Sequence, residues 1–254
     1  MLTSTFIHVQ GIGYTTERRI WDLGALTWER FLEMRPELKI SEGKKALIHD
    51  TVDESVLRLS DGDYAYFADV IPSKDHWRAL SEFGGDLAYL DIETTGCGYD
   101  DQITVIGLYD GYDMQSFIQG INMDEFPEAL SRFKMLVTFF GSGFDIPMIR
   151  RAFPDLRVDQ LHVDLCFLLK RVGLSGGLKK IEHQMGINRR PETEGLDGFD
   201  AVRLWNAYRT GSQEALDLLL TYNKDDVMNM EPLLRHGVRE IQGKLAFPGA
   251  GDSE

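Results

Sequence analysis

The stretch that decides the fold reads LAYLDIETTG, from Leu87 to Gly96. Side chains alternate across a strand, so Leu87, Tyr89, Asp91 and Glu93 share one face while Ala88, Leu90 and Ile92 share the other. The first face turns from apolar to acidic along its length. Aspartate is a poor strand former, so its presence here demands a reason. A solvated strand end is the plainest one. The alternative is a bound cation, because two neighbouring carboxylates repel and one stays protonated unless a cation stabilises both. Hard oxygen ligands of this sort suit magnesium or manganese. A D-x-E pattern recurs by chance in many proteins and decides nothing alone.

Working outward, ITVIGLYDG (103–111) and MQSFIQG (114–120) read as two more strands, with GCGYDD and YDGYD as the intervening turns. Three adjacent strands with hairpin-like links follow from that spacing. Next come a helix in MDEFPEALSRF, a buried strand in MLVTFF, a helix from about 144 to 153, and mostly helical sequence to about 238. The pattern predicts an α/β fold: a mixed β-sheet flanked by helices. Residues 1–85 read as a mainly helical N-terminal extension, with Thr16 and Thr27 as helix caps. The sheet domain is expected over 86–240 and a flexible, glycine-rich tail over 241–254.

The 254 residues are 43% hydrophobic and 11% aromatic, enough to build a proper core. Forty-one acids against 27 bases give a formal charge of -14, which argues against a protein that coats a long run of phosphates. Confined basic pairs exist at Arg18-Arg19, Arg150-Arg151, Lys170-Arg171, Lys179-Lys180 and Arg189-Arg190. The N-terminus lacks a basic region followed by a long apolar run, and no later stretch has the length to cross a bilayer. The chain reads as soluble and cytoplasmic, without a membrane role. Cys97 and Cys166 match no metal-ligand spacing and read as idle thiols.

A second informative stretch is VTFFGSGFDIPMIRRAF, from Val137 to Phe153. A buried strand runs into Gly141-Ser142-Gly143 and then a helix whose first turn holds Asp145 and Pro147. A first-turn acid complements the helix dipole, and proline is tolerated there, so structure alone explains both. The glycines also let backbone approach a ligand closely, and Arg150 and Arg151 could meet phosphate.

The third stretch is EALDLLLTYNKDDVMNM, Glu214 to Met230. At helical spacing Ala215, Leu219, Tyr222, Asp226 and Met230 form one stripe, which Asp226 alone interrupts. Asp225 falls with Thr221 and Asn229 on a polar face, where solvent suffices. A carboxylate in an apolar stripe is paired, bonded to backbone, or bound to a metal.

Taken in order, D-x-E at a strand end, F-D at a helix start and Y-x-x-x-D on a helix resemble the DEDD superfamily of 3′–5′ exonucleases. The match is to its tyrosine-bearing branch, since the histidine-bearing branch places His where this chain has Thr221. VDLCFLLKRVGLSGGLKKIEHQMGI and DAVRLWNAY are similar to stretches of uncharacterised prokaryotic ribonuclease H-like exonucleases. The resemblance spans roughly 86–235 and implies a ribonuclease H-like sheet. It implies hydrolysis of single-stranded DNA or RNA with two divalent cations, Mg2+ or Mn2+, about 4 Å apart. Asp91 would bridge both ions. Glu93 and Asp226 would complete the ion that holds the attacking water, and Asp145 would support the other. Tyr222, one turn before Asp226, would orient that water, since a phenol with a reference pKa of about 10 is a poor base.

Expected substrate contacts are Thr94, Gly143, Phe144, Arg150 and Lys179, with Lys180, Arg189 and Arg190 as further guides for the strand. A nuclease that holds only a strand end needs few phosphate contacts, which reconciles the function with the acidic charge. GIGYTTERR looks like half of a helix-hairpin-helix element, which grips nucleic acid backbone; plain packing explains it equally. His162 reads as structural, and Asp164 as either a spare acid near the site or a helix cap. Two other readings stay open: a nucleic-acid-binding adaptor without turnover, and an endoribonuclease on the same fold.

Overall fold

The computed structural model describes residues 1–96, 98, 100–245 and 247. Five α-helices precede the first strand: α1 (Tyr14–Asp22), α2 (Trp28–Met34), α3 (Glu42–Ser60), α4 (Tyr64–Val70) and α5 (Leu80–Phe83). Thr27 caps α2, its hydroxyl accepting from the Arg30 N–H at 3.2 Å. Thr16 is no cap. Gly13 occupies that position in extended backbone, and Thr16 lies inside the first turn of α1 with its N–H on the Gly13 carbonyl.

The sheet comprises β1 (Leu87–Thr94), β2 (Ile103–Tyr109), β3 (Met114–Ile118), β4 (Met135–Thr138) and β5 (Leu161–Asp164), in the order β3-β2-β1-β4-β5. Strands β1, β2 and β3 run antiparallel as hairpin neighbours, whereas β4 pairs parallel with both β1 and β5. The helices α6 (Phe126–Leu130), α7 (Asp145–Ala152), α8 (Leu165–Arg171), α9 (Leu178–Gln184), α10 (Gly198–Arg209), α11 (Gln213–Met228) and α12 (Met230–Leu245) complete the chain. This is the mixed, helix-flanked sheet expected from the strand spacing. Residues 241–245 finish α12; residue 246 and residues 248–254 of the expected tail, with Cys97, lie outside the described residues.

The alternation in β1 sorts two cores. Leu87 and Tyr89 join an apolar cluster with Met135, Val137, Leu161 and Val163 of the neighbouring strands, Leu168 of α8 and Leu233 of α12. That cluster also contains Phe6, Trp28, Phe31 and Ile48, so the N-terminal helices and one sheet face share a core. Ala88, Leu90 and Ile92 face the other way, against Phe126 and Leu130 of α6 and Ile146 and Ile149 of α7.

Helix α11 ends at Met228 instead of running through Met230. Pro232 has no N–H to continue the ladder and its ring would strike the carbonyl four residues back, so the helix stops and α12 restarts at Met230. Met230 therefore leaves the stripe that the spacing assigned to it. Helix α11 crosses β2 at Gly107, where an added Cβ would lie 2.1 Å from Asn223 Oδ1 and 2.8 Å from Val227 Cγ2. Only glycine lets helix and strand approach this closely.

Candidate active site

Gly107 pairs with Asp91 across the β1–β2 ladder, so the close approach of α11 falls directly over the acidic end of β1. Three carboxylates converge there. Asp91, Glu93 and Asp226 each offer an oxygen, and these atoms lie within 4.8 Å of one another. Asp145 joins from the opposite side of the strand. Beyond Tyr89 the strand β1 has no β4 partner, and the Ile92 N–H that would have served one donates to Asp145 Oδ1 at 3.2 Å.

Burial and mutual repulsion raise the proton affinity of the group. Removal from solvent is the largest cause throughout, followed by the Asp226 charge at Asp91 and Glu93, which are held well above the ordinary carboxylate range. Asp145 is pushed up to about 7, by burial foremost and against two backbone hydrogen bonds that favour its anion. Asp226 is also raised by burial, less so because the Arg189 guanidinium opposes it. Glu93 Oε1 is buried without a hydrogen-bond partner. An orphaned carboxylate oxygen among crowded acids fits a divalent cation, which would supply the missing positive charge.

Tyr222 stands one turn before Asp226 and is buried to 5% exposure. Its hydroxyl accepts from Lys179 Nζ at 2.9 Å, and that ammonium also lies 4.5 Å from the ring centroid. Burial, then the charges of Asp226, Glu93 and Asp91, push the phenol far above its usual value, so it keeps its proton. Lys179, lowered mainly by burial, donates further to the Leu196 carbonyl. Asp91, Asp226, Tyr222, Lys179 and Phe139 line a cleft of about 280 Å³.

The other sequence candidates divide. Gly143 is exposed in the loop before α7, where an added Cβ would meet the Phe140 ring at 2.8 Å. Phe144 packs against the α6–α7 core, and the Thr94 hydroxyl donates to the Gly96 carbonyl. Arg150 donates to the Val158 carbonyl at 2.9 Å. Arg189 is not a strand guide: its side chain is 4% exposed and grips Glu182 at 2.7 and 2.8 Å while bonding Asp226 Oδ1. Arg190 is paired as well, with Asp225 at 3.3 Å. Asp225 itself is buried, not solvated, and also accepts from the Thr193 hydroxyl.

His162 is structural, bonded through Nε2 to the Thr138 hydroxyl at 2.8 Å, with its backbone N–H on His76 Nδ1. Burial drives its imidazole down to about 4, so it stays neutral. Asp164 caps α8 through the Cys166 N–H and also accepts from the Phe140 and Ser142 N–H groups, tying down the loop before Asp145.

Sequence reasoning missed Asn223. Fully buried, it donates from Nδ2 to Asp91 Oδ2 at 3.0 Å and so orients the central carboxylate. The signal available was Gly107 inside a strand that opens with four β-branched residues, Ile103 to Ile106, which marks a close neighbour. Glu182 was missed too; it aligns Arg189, with Asn229 donating to it at 2.9 Å.

The profile of the RNase_H superfamily matches residues 88–238. No curated protein matches the chain. Among solved structures it is similar to Escherichia coli RNase D, an exoribonuclease involved in structured RNA processing, at 19% identity and a TM-score of 0.46, covering 69% of this chain and 44% of that one. A family B DNA polymerase from the archaeon Pyrobaculum calidifontis gives 17%, 0.42, 63% and 24%. The Nibbler EXO domain of Aedes aegypti gives 14%, 0.38, 67% and 89%. The chain thus spans less than half the length of the first two. No helix among the described residues is long and apolar enough to cross a membrane.

Proposed function

Because the chain belongs to the RNase_H superfamily and carries its mixed five-stranded sheet, we propose that it is a metal-dependent 3′–5′ exonuclease of the tyrosine-bearing DEDD branch. Its substrate is the 3′ end of single-stranded DNA or RNA. The observation that carries this reading is the convergence of Asp91, Glu93 and Asp226 within 4.8 Å, beside Tyr222. An adaptor that only binds has no use for a carboxylate cluster this costly to bury.

Asp91, Glu93 and Asp226 would hold a divalent cation, Mg2+ or Mn2+, with Asp145 completing the set for a second. When bound, such ions supply Lewis acidity toward the scissile phosphate and acidify water near neutral pH. The chain contributes orientation. Asn223 fixes Asp91, and Glu182 with Arg189 fixes Asp226. Tyr222 keeps its proton and so acts as a hydrogen-bond donor that positions the attacking water, not as a base. Lys179, donating to the phenol oxygen, leaves the Tyr222 proton free to point into the cleft.

One contact favours the adaptor instead: Arg189 already neutralises one oxygen of Asp226. Digestion of end-labelled single-stranded DNA and RNA with free or blocked 3′ ends, in Mg2+, Mn2+ or chelator, separates the readings. A ladder that needs both metal and a free 3′ end is the expected result. Cleavage with the 3′ end blocked would assign an endonuclease, and binding without cleavage an adaptor.

A further inference from the structure

We propose that the groove between the N-terminal region and the sheet, flanked by Phe140 and Phe167, stacks an unpaired base of the strand whose 3′ end enters the acidic cleft. This rests on the nucleic-acid reading above and adds a subsite to it. The loop before α7 has two sides. Phe139 lines the acidic cleft, while Ser142 lines a second groove of about 590 Å³. The two spaces are close, since the Asp164 carboxylate that bonds the Ser142 N–H also acts electrostatically on Asp145.

The groove is mostly apolar, built from Ser73, Lys74 and Trp77 on one side and Phe167, Lys170 and Arg171 of α8 on the other. At its edge Phe140 and Phe167 are each about half exposed, 49% and 48%, with ring centroids 6.3 Å apart. Exposed neighbouring rings are a platform for a flat partner, and every base has a π face to lay on it. Phe140 adopts φ 65, a left-handed conformation that penalises a side chain with a Cβ, so the ring is displayed against a backbone preference.

Charge selects the occupant. On a chain with a formal charge of -14, the groove rim carries exposed Lys74 and Lys170, and Lys170 forms no ion pair among the described residues. Arg171 is committed internally, to the Lys74 carbonyl and to Asp75. The Asp164 oxygens face inward, accepting from Phe140, Ser142 and Cys166. A cationic rim around an aromatic platform suits a polyanion with stacking faces, namely single-stranded nucleic acid.

The test uses the full chain and a fluorescein-labelled single-stranded oligonucleotide with a phosphorothioate 3′ end, read by anisotropy. Phe167→Ala, at an exposed position, weakens binding about tenfold, the loss of one stacked base. A single abasic site is then walked along the strand. The unaltered protein loses affinity at one position, and Phe167→Ala is insensitive to the abasic site there, because the stacking partner is already gone. Phe140→Asn provides a second variant. It relieves the left-handed strain and raises Tm while lowering affinity, a combination that a merely structural ring would not produce. Unchanged affinity in both variants, or an abasic penalty that survives Phe167→Ala, overturns the groove. Cleavage of the unmodified oligonucleotide by the unaltered protein is measured alongside. Cleavage with flat variants removes the subsite alone, whereas neither cleavage nor binding by the unaltered protein removes the nuclease reading with it.

Discussion

Tyr222 is held by contacts that fix both its position and its proton. Its ring lies under the Lys179 ammonium, and its oxygen accepts from that same group, so the phenol can present only its hydrogen to the cleft. Replacing Tyr222 with Phe removes the hydrogen and leaves the ring, so we expect turnover to fall about 100-fold, at the lower end of what a positioned proton donor contributes. Metal affinity, measured by calorimetry on the same variant, should stay near that of the unaltered protein because the carboxylates are untouched. Full activity in Tyr222→Phe would take the phenol out of the chemistry. Asp226 shares its Oδ1 with Arg189, and Arg189 is in turn held by both oxygens of Glu182. A site acid partnered by a buried guanidinium keeps its position without a cation, and on the proposed metal reading it would attract one less strongly.

Two element contacts set where the site residues stand. The first is α11 on β2 at Gly107. A methyl group there would lie 2.1 Å from Asn223 Oδ1 and 2.9 Å from Met114 Cε, so the helix must lift. Gly107→Ala should cost about 1–3 kcal/mol in urea unfolding, the usual penalty for overpacking, and reduce activity beyond that by shifting Asn223 from Asp91. Unchanged stability would mean that α11 has room to spare. The second contact joins α1 to the segment before α5. Glu17 is 1% exposed and accepts from the Thr5 hydroxyl, the Phe6 N–H and Arg78, which is itself fully buried. Glu17→Ala would take from the buried Arg78 guanidinium its closest counterion, leaving only Asp75 at 3.6 Å. A loss of about 3–5 kcal/mol is expected by chemical denaturation.

For the molecule as a whole, the acidic cluster makes stability a function of pH and, on the metal reading proposed above, of divalent cation. Buried carboxyls raised above their unfolded values bind protons in the folded chain that the unfolded chain has released. Their contribution is therefore complete below the ordinary carboxylate range and is lost as pH rises through the folded values, about 7 for Asp145. Metal-free protein should melt at a lower temperature near pH 8 than near pH 5. Mn2+ or Mg2+ should restore the difference, adding about 2.7 kcal/mol at a concentration 100 times its Kd, with the larger gain at the higher pH. A melting temperature indifferent to both ions at pH 8 would argue that the cluster binds none. The shared core of the N-terminal helices and the sheet bears on truncation: α4 and the turn before α5 pack on β5, so removing residues 1–85 would bare Leu161 and Val163 to water, and insoluble product is the expected outcome.

Much of this was legible in the residues themselves, and the reason is local. Strand alternation, a property of one backbone, placed Asp91 and Glu93 with Leu87 and Tyr89, and helical spacing placed Tyr222 and Asp226 on one side of α11. The order of strands and helices announced a mixed sheet for the same reason. Contacts between elements were not legible, because a side chain's partner depends on how distant segments pack. Asp225, solvated by spacing alone, is buried against Thr193 and Arg190. Arg189, one of a surface-like pair, is enclosed beside Asp226, and Asn223 reaches Asp91 only because Gly107 lets a helix settle on the sheet. Local geometry thus determined which face each acid occupies, and tertiary packing decided which neighbours balance its charge.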